Sequence, residues 1–195
     1  MLTRIVGAVT SSMALLAAPA NAAEYIARDV AGWTVGAGDG GDRCLMTQDY
    51  EGEGETTLTF ALEVDGSNFL MVQNANWSIK ENEELRLDYA FSNGVYENHL
   101  SFGLKGTDKA GFLSGFEPKF PTYFAASAWL HIRREGTVVD DLSLKGTGAA
   151  VAELRRCLAI IKATAYAERR EKERFSHIPR DPFGAGGKPP VQVTE

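Results

Sequence analysis

Cysteine is nearly absent. The 195 residues contain two, Cys44 and Cys157, and no Cys-x-x-Cys, so thiolates alone cannot complete the four-ligand sphere of a structural zinc site. Histidine is as scarce: His99, His131 and His177 include no pair four apart that would set two imidazoles on one helix face. Positive charge is in deficit, with 20 Lys and Arg against 26 Asp and Glu and a net charge of −6. No basic cluster offsets it, which excludes a groove built to neutralise nucleic-acid phosphates. After the first 22 residues no apolar run approaches the roughly 20 residues that cross a bilayer as a helix. Local catalytic signatures are missing too. Ser114 stands in Gly-Phe-Leu-Ser-Gly, not Gly-x-Ser-x-Gly, and Ser143 and Lys145 are two apart, not at Ser-x-x-Lys spacing. No catalytic residue, metal ligand or cofactor is therefore assigned.

What is present begins at the amino terminus. Arg4 is followed by residues 5–18, all apolar or small and uncharged, then Pro19 and the small-x-small triplet Ala20-Asn21-Ala22. This is the three-part plan of a secretory signal peptide, and cleavage is expected after Ala22. Cleavage would leave 173 residues (195 less 22), an amount that suits one domain. It would also remove Arg4 and take the net charge from −6 to −7. The destination, periplasm or exterior, is oxidising, so two cysteines should pair and a Cys44–Cys157 disulfide is expected.

Period-two patterning dominates the middle of the chain. In residues 57–64, Leu58, Phe60, Leu62 and Val64 alternate with Thr57, Thr59, Ala61 and Glu63, the mark of a half-buried strand. Asp65-Gly66 is a favoured turn pair before a strand at 68–72, making a hairpin. Residues 84–91 alternate again, and 98–104 follow with Leu100, Phe102 and Leu104 expected inward. Further strands are expected at 31–37, 44–48, 111–116, 129–134 and 137–144, the last with imperfect alternation. Pro121 can open a short helix over 120–128. From Thr147, a candidate N-cap, the period changes: Val151, Leu154, Leu158, Ile161 and Ala165 recur at spacings of three and four. The stripe predicts Leu154, Leu158 and Ile161 buried, with Glu153, Arg155 and Lys162 facing water. The expected architecture is mainly β: a β-sandwich or open barrel of about eight short antiparallel strands, with a C-terminal α-helix packed on it, spanning 23–176. The mixed-sign run at 168–174 is a solvated helix end. Residues 177–195, rich in Pro and Gly, are expected to be a disordered tail.

Other residues invite functional weighing. Asp39, Asp42, Asp49, Glu51, Glu53 and Glu55 form an acidic region whose spacing matches no EF-hand loop. Trp33 and Trp129 fall on strands and are assigned to the core. Trp77, in the polar stretch 74–83, is either a binding aromatic or a lid folded over the open end of the sheet.

Two segments in order, Gly32-Trp33-Thr34-Val35 with Cys44-Leu45-Met46-Thr47-Gln48, and Leu142-Ser143-Leu144-Lys145-Gly146 with Ala149-Ala150 and Leu154, resemble the invasion-associated locus B family of small exported α-proteobacterial proteins. The resemblance implies a β-rich periplasmic or envelope domain without catalytic residues. Cys157, in a predicted helix, departs from that pattern. The leading functional expectation is a non-enzymatic binding or accessory module for another envelope component. The alternative is a secreted hydrolase whose acid and base, drawn from Asp88, His99 and His131, meet only in the fold.

Overall fold

The structure is a computed structural model and describes residues 25–178. The signal segment and residues 179–195 of the tail lie outside the described residues. Ten strands precede the long helix: β1 (Arg28–Val30), β2 (Trp33–Ala37), β3 (Arg43–Tyr50), β4 (Thr56–Glu63), β5 (Asn68–Asn74), β6 (Glu84–Phe91), β7 (Gly94–Lys105), β8 (Ala110–Gly115), β9 (Trp129–Arg134) and β10 (Thr137–Ser143). Helix α1 (Phe120–Ala126) sits between β8 and β9, and α2 (Thr147–Phe175) follows β10.

All ten strands belong to one antiparallel sheet in the order β1-β2-β3-β4-β5-β8-β7-β6-β9-β10. Of the expected β-sandwich or open barrel of about eight strands, the mainly β, antiparallel character holds, but in place of a two-layer sandwich the described residues form ten strands in a single open sheet. Its inward positions, from Trp33 and Val35 on β2 to Leu142 on β10, form one core cluster, so the sheet curls around its own contents. Its two ends approach without pairing as strands. Tyr50 on β3 donates to the Ser143 carbonyl across the gap (2.6 Å), and Trp33 Nε1 donates to the Lys145 carbonyl (3.1 Å). The extra edge strand, β1, is a three-residue arm that turns back at Ala31-Gly32 onto β2; it is too short to show alternation.

α1 fills the concave side. Phe120 and Phe124, four apart, share its buried face and meet Phe60 with ring centroids 5.7 and 4.9 Å apart. α2 closes one end by packing on β2 and β3. Its buried stripe is Thr147, Ala150, Val151, Leu154 and Cys157. Cys157 lies at disulfide-bonding distance from Cys44 on β3, Cα to Cα 6.2 Å. Leu158 and Ile161, expected in the core, are only half-buried and pack against its margin.

Three assignments on α2 and its surroundings change. Thr147 does not cap the helix: its hydroxyl donates backward to the Leu144 carbonyl (2.8 Å), and the N-cap is Gly146 at φ 90°. A side chain there would meet the Ala31 carbonyl at 2.3 Å, so glycine alone lets the chain enter α2 this close to the β1–β2 turn. Glu153 does not simply face water. It accepts from Tyr25 Oη (2.8 Å) and pairs with Arg28 and Arg156 (3.4 Å each). The Tyr25 bond, then the two cations, lower its pKa; in turn burial first, then Glu153, pushes Tyr25 up to about 12. Trp129, assigned to the core, lies on the outer face with 38% of its surface exposed.

β7 is inverted relative to its hydrophobic pattern. Ser101 and Gly103 face the core, and Leu100, Phe102 and Leu104 face outward, with Phe102 paired to Leu113 of β8. Polar and steric contacts fix this register. Tyr89, Ser101 and Ser114 form a closed, buried triangle of hydroxyls, with Ser101 Oγ 2.9 Å from Tyr89 Oη and 2.7 Å from Ser114 Oγ. Burial pushes the Tyr89 phenol up to about 12. A Cβ on Gly103 would sit 2.1 Å from the Lys80 carbonyl. The segment between β5 and β6 can therefore cross beneath β7, held by Asn82 N–H to Gly103 O (2.9 Å) and Gly103 N–H to Glu83 O (2.7 Å).

Candidate binding cleft at the open seam of the sheet

Pinning residues 80–83 to β7 fixes the segment that carries Trp77. Its indole lies half-buried and stacks flat on Phe112 of β8, with centroids 5.6 Å apart and planes 11° apart. The tryptophan thus folds back over the open end of the core, and its outer face forms the wall of a cleft.

The cleft runs along β10. Two hollows of about 350 and 300 Å³ share Asn76, Trp77 and Val139. The second is apolar, with Ile79, Leu85, Leu87 and Phe112 beneath it and Val138 and Arg134 at its rim. The first is polar and acidic, lined by Glu51, Glu53, Asp140 and Asp141.

Hydrogen bonds between distant parts of the chain build the polar half. Thr56 Oγ1 donates to Asp140 Oδ2 (2.6 Å), bridging β4 and β10. Asn74 Nδ2 donates to Thr56 Oγ1 (3.0 Å) and to the Glu53 carbonyl (2.9 Å), while Asn74 Oδ1 accepts from the Asn76 N–H (2.8 Å). Thr56 and Asn74 are buried, so these bonds are shielded from water and hold the acidic loop to the end of β5. With the Tyr50–Ser143 and Trp33–Lys145 bonds, the Thr56–Asp140 bond forms a third latch across the seam. Burial, and then the charge of Asp140, holds the Tyr50 phenol well above its usual pKa, so it remains a donor throughout the neutral range.

The free edge of β10 is closed to further strand pairing. Its register shifts between Val138 and Asp140. The Asp141 N–H is taken by Asp140 Oδ1 (2.8 Å), and the Ser143 carbonyl is taken by Tyr50. A bulge and inward-turned polar bonds are ordinary means of blocking an edge. A ligand here would be held by side chains.

The sequence-flagged polar residues do not gather at one point. His99 stacks on Phe116 (centroids 4.4 Å) with Nε2 2.9 Å from the Gly115 carbonyl. His131 is bonded through Nδ1 to Asp141 and packs against Trp129 at 4.2 Å. Asp88 Oδ1 accepts from the Asn98 N–H (2.7 Å). β6 separates the two histidine-bearing strands, and each group has its own local partner. Ser143 is exposed, and its Oγ is 3.4 Å from the Lys145 N–H. In the acidic region, Asp42 pairs with Arg43 (2.9 Å), which lowers the Asp42 pKa, and Asp49 accepts from Thr57 (2.6 Å). Among the described residues no three His, Cys, Asp or Glu side chains cluster as metal ligands would, and no helix is long and apolar enough to cross a membrane.

Fold and cleft together define an open antiparallel β-sheet protein with a helix closing one end and a side-chain-lined groove at its seam. A crystal structure of invasion associated protein B from Bartonella henselae shares this fold, with a TM-score of 0.52 at 12% sequence identity over 68% of this chain and 97% of that one. No protein-family model matches the chain, and no curated protein sequence matches it.

Proposed function

We propose that this chain is an exported, non-enzymatic binding module of the cell envelope that holds another envelope component in the seam cleft. The observation that carries the reading is the platform of Trp77 on Phe112 beside a preformed polar pocket. The bonds from Thr56, Asn74 and Tyr50 already hold the pocket in place, so little ordering remains for a ligand to impose. Export is supported by the signal-like start and by the Cys44–Cys157 pair, whose bond would persist outside the cytoplasm. The likeness in fold to an invasion associated protein accords with a place outside the cytoplasm.

Site-specific photocrosslinking in intact cells tests it. A benzophenone side chain at Val138, on the cleft rim and 51% exposed, should trap a discrete adduct that Trp77→Ala abolishes. The same group at Val64, away from the cleft, should trap none. Equal trapping from both positions, or an adduct indifferent to Trp77→Ala, would refute the cleft as the contact surface.

A further inference from the structure

The electrostatics of the cleft narrow what it can hold, an argument that rests on the cleft being the contact surface. We infer that the seam cleft receives an extended polypeptide segment that presents a basic side chain two residues from a large apolar one.

The polar half supplies the first requirement. Glu51, Glu53, Asp140 and Asp141 line or rim it, and no Lys or Arg does. Among the described residues, Glu51, Glu53 and Asp140 form no ion pair, and Asp141 is engaged only by His131. Two cations stand near the cleft, and both are committed: Lys109 to the Glu55 carbonyl and Thr57 Oγ1, and Arg134, on the rim of the apolar hollow, to Glu83 (3.7 Å). Three carboxylates without a cation partner, Asp140 among them though hydrogen-bonded to Thr56 and the Asp141 N–H, surround a hollow of about 350 Å³ and give a negative field that a primary amine or guanidinium would complement.

The apolar half supplies the second. Trp77, Ile79 and Val138 surround a hollow whose base reaches core residues Leu85, Leu87 and Phe112, a seat for an aliphatic or aromatic side chain. The two hollows meet at Val139 and Trp77, so one ligand must offer both chemistries close together. In an extended chain, residues two apart project from the same side, which matches two adjoining hollows. A small amine would fill only one of them. Because the β10 edge is blocked, the segment lies across the cleft by its side chains and does not extend the sheet.

The test uses the full exported protein and three probes: Ac-Ser-Lys-Ser-Leu-Ser-NH2, the same peptide with Glu for Lys, and hexylammonium chloride. Binding is followed by the indole and backbone amide shifts of Trp77 and Val139. The lysine peptide should shift both, and Glu51→Gln with Glu53→Gln should weaken it about fivefold, the worth of one or two exposed charge pairs. These substitutions lie on an exposed loop, and an unchanged melting temperature confirms the fold. Equal binding of the glutamate peptide at the same resonances would overturn the charge assignment while leaving the cleft as the contact surface. Hexylammonium binding as tightly as the peptide would overturn the polypeptide. Absence of any shift from the lysine peptide would overturn the inference outright, and a Val138 adduct would then still stand as evidence for the cleft.

Discussion

The cross-link between β3 and α2 offers a perturbation of stability whose size can be worked out from the structure. Cys44 and Cys157 are 113 positions apart. In the chain-entropy model, closing a loop of that length withdraws about 4.8 kcal/mol from the unfolded chain, and measured bridges commonly deliver about 2–4. Both residues are fully buried among Met46, Val35 and Leu154, so replacing them with alanine also removes two packed sulfur atoms from the core. The double variant should lose about 3–5 kcal/mol. With a urea m-value of about 2 kcal/mol/M for a chain of this size, the midpoint should fall by about 1.5–2.5 M. The m-value itself should rise, because the uncrosslinked chain exposes more surface on unfolding. Reduction of the wild type under denaturing conditions, followed by refolding without oxidant, should reproduce most of the loss. Two alkylatable thiols in unreduced native protein, or a midpoint that moves by less than 0.5 M, would refute the reasoning.

Four further outcomes follow from the packing. Leu154→Ala, at a fully buried position, should cost about 2–5 kcal/mol, while Leu158→Ala, half-buried, should cost clearly less; paired urea melts compare them. Gly146→Ala should destabilise by more than the usual conformational penalty of about 1 kcal/mol, because its Cβ collides with the Ala31 carbonyl; calorimetry reads the drop. The folded-state pKa values of Tyr25 and Tyr89 are raised from 10.0 to about 12, so their contribution is intact below pH 10 and declines as pH rises toward 12. Tyr25→Phe with Tyr89→Phe should flatten that decline in urea midpoints. Glu153, with a lowered pKa, acts in the opposite sense: its contribution holds above its ordinary value of 4.5 and fades as acid protonates it, and Glu153→Gln should remove that part of the acid dependence.

Elements whose interactions are local were readable from the chain. β6 matches the alternation of 84–91 and β5 the hairpin strand at 68–72, since each packs one face against a common core. β4 keeps Leu58, Phe60 and Leu62 buried as expected, but Thr59 and Ala61 are buried as well and Val64 lies exposed beyond its end. The shift between Val138 and Asp140 explains why 137–144 alternated poorly. The errors arise where distant contacts decide. Trp129 reads as core on a strand, yet its register with Ser143 turns it outward. Thr147 has the chemistry of a cap, but the approach of the β1–β2 turn makes Gly146 the cap. In the cleft, Trp77 was conspicuous as an aromatic in a polar stretch. Thr56, Asn74 and Asp140 were invisible, because the bond between Thr56 and Asp140 spans 84 positions and neither residue carries a motif.

β7 places its apolar side chains on the wrong side of the sheet for its own alternation. A slip of one residue would bury Leu100, Phe102 and Leu104 and turn Ser101 and Gly103 to water, since strand periodicity exchanges the two faces at each step. The hydrophobic effect alone therefore favours a competing register during folding. The native one prevails through three hydroxyls and a glycine that admits the neighbouring backbone, contacts that exist only when β6, β8 and the segment ahead of β6 are all in place. Such a strand is locally frustrated and is expected to commit late, once its neighbours have set the template. Until then the middle of the sheet would be open to mispairing with another chain.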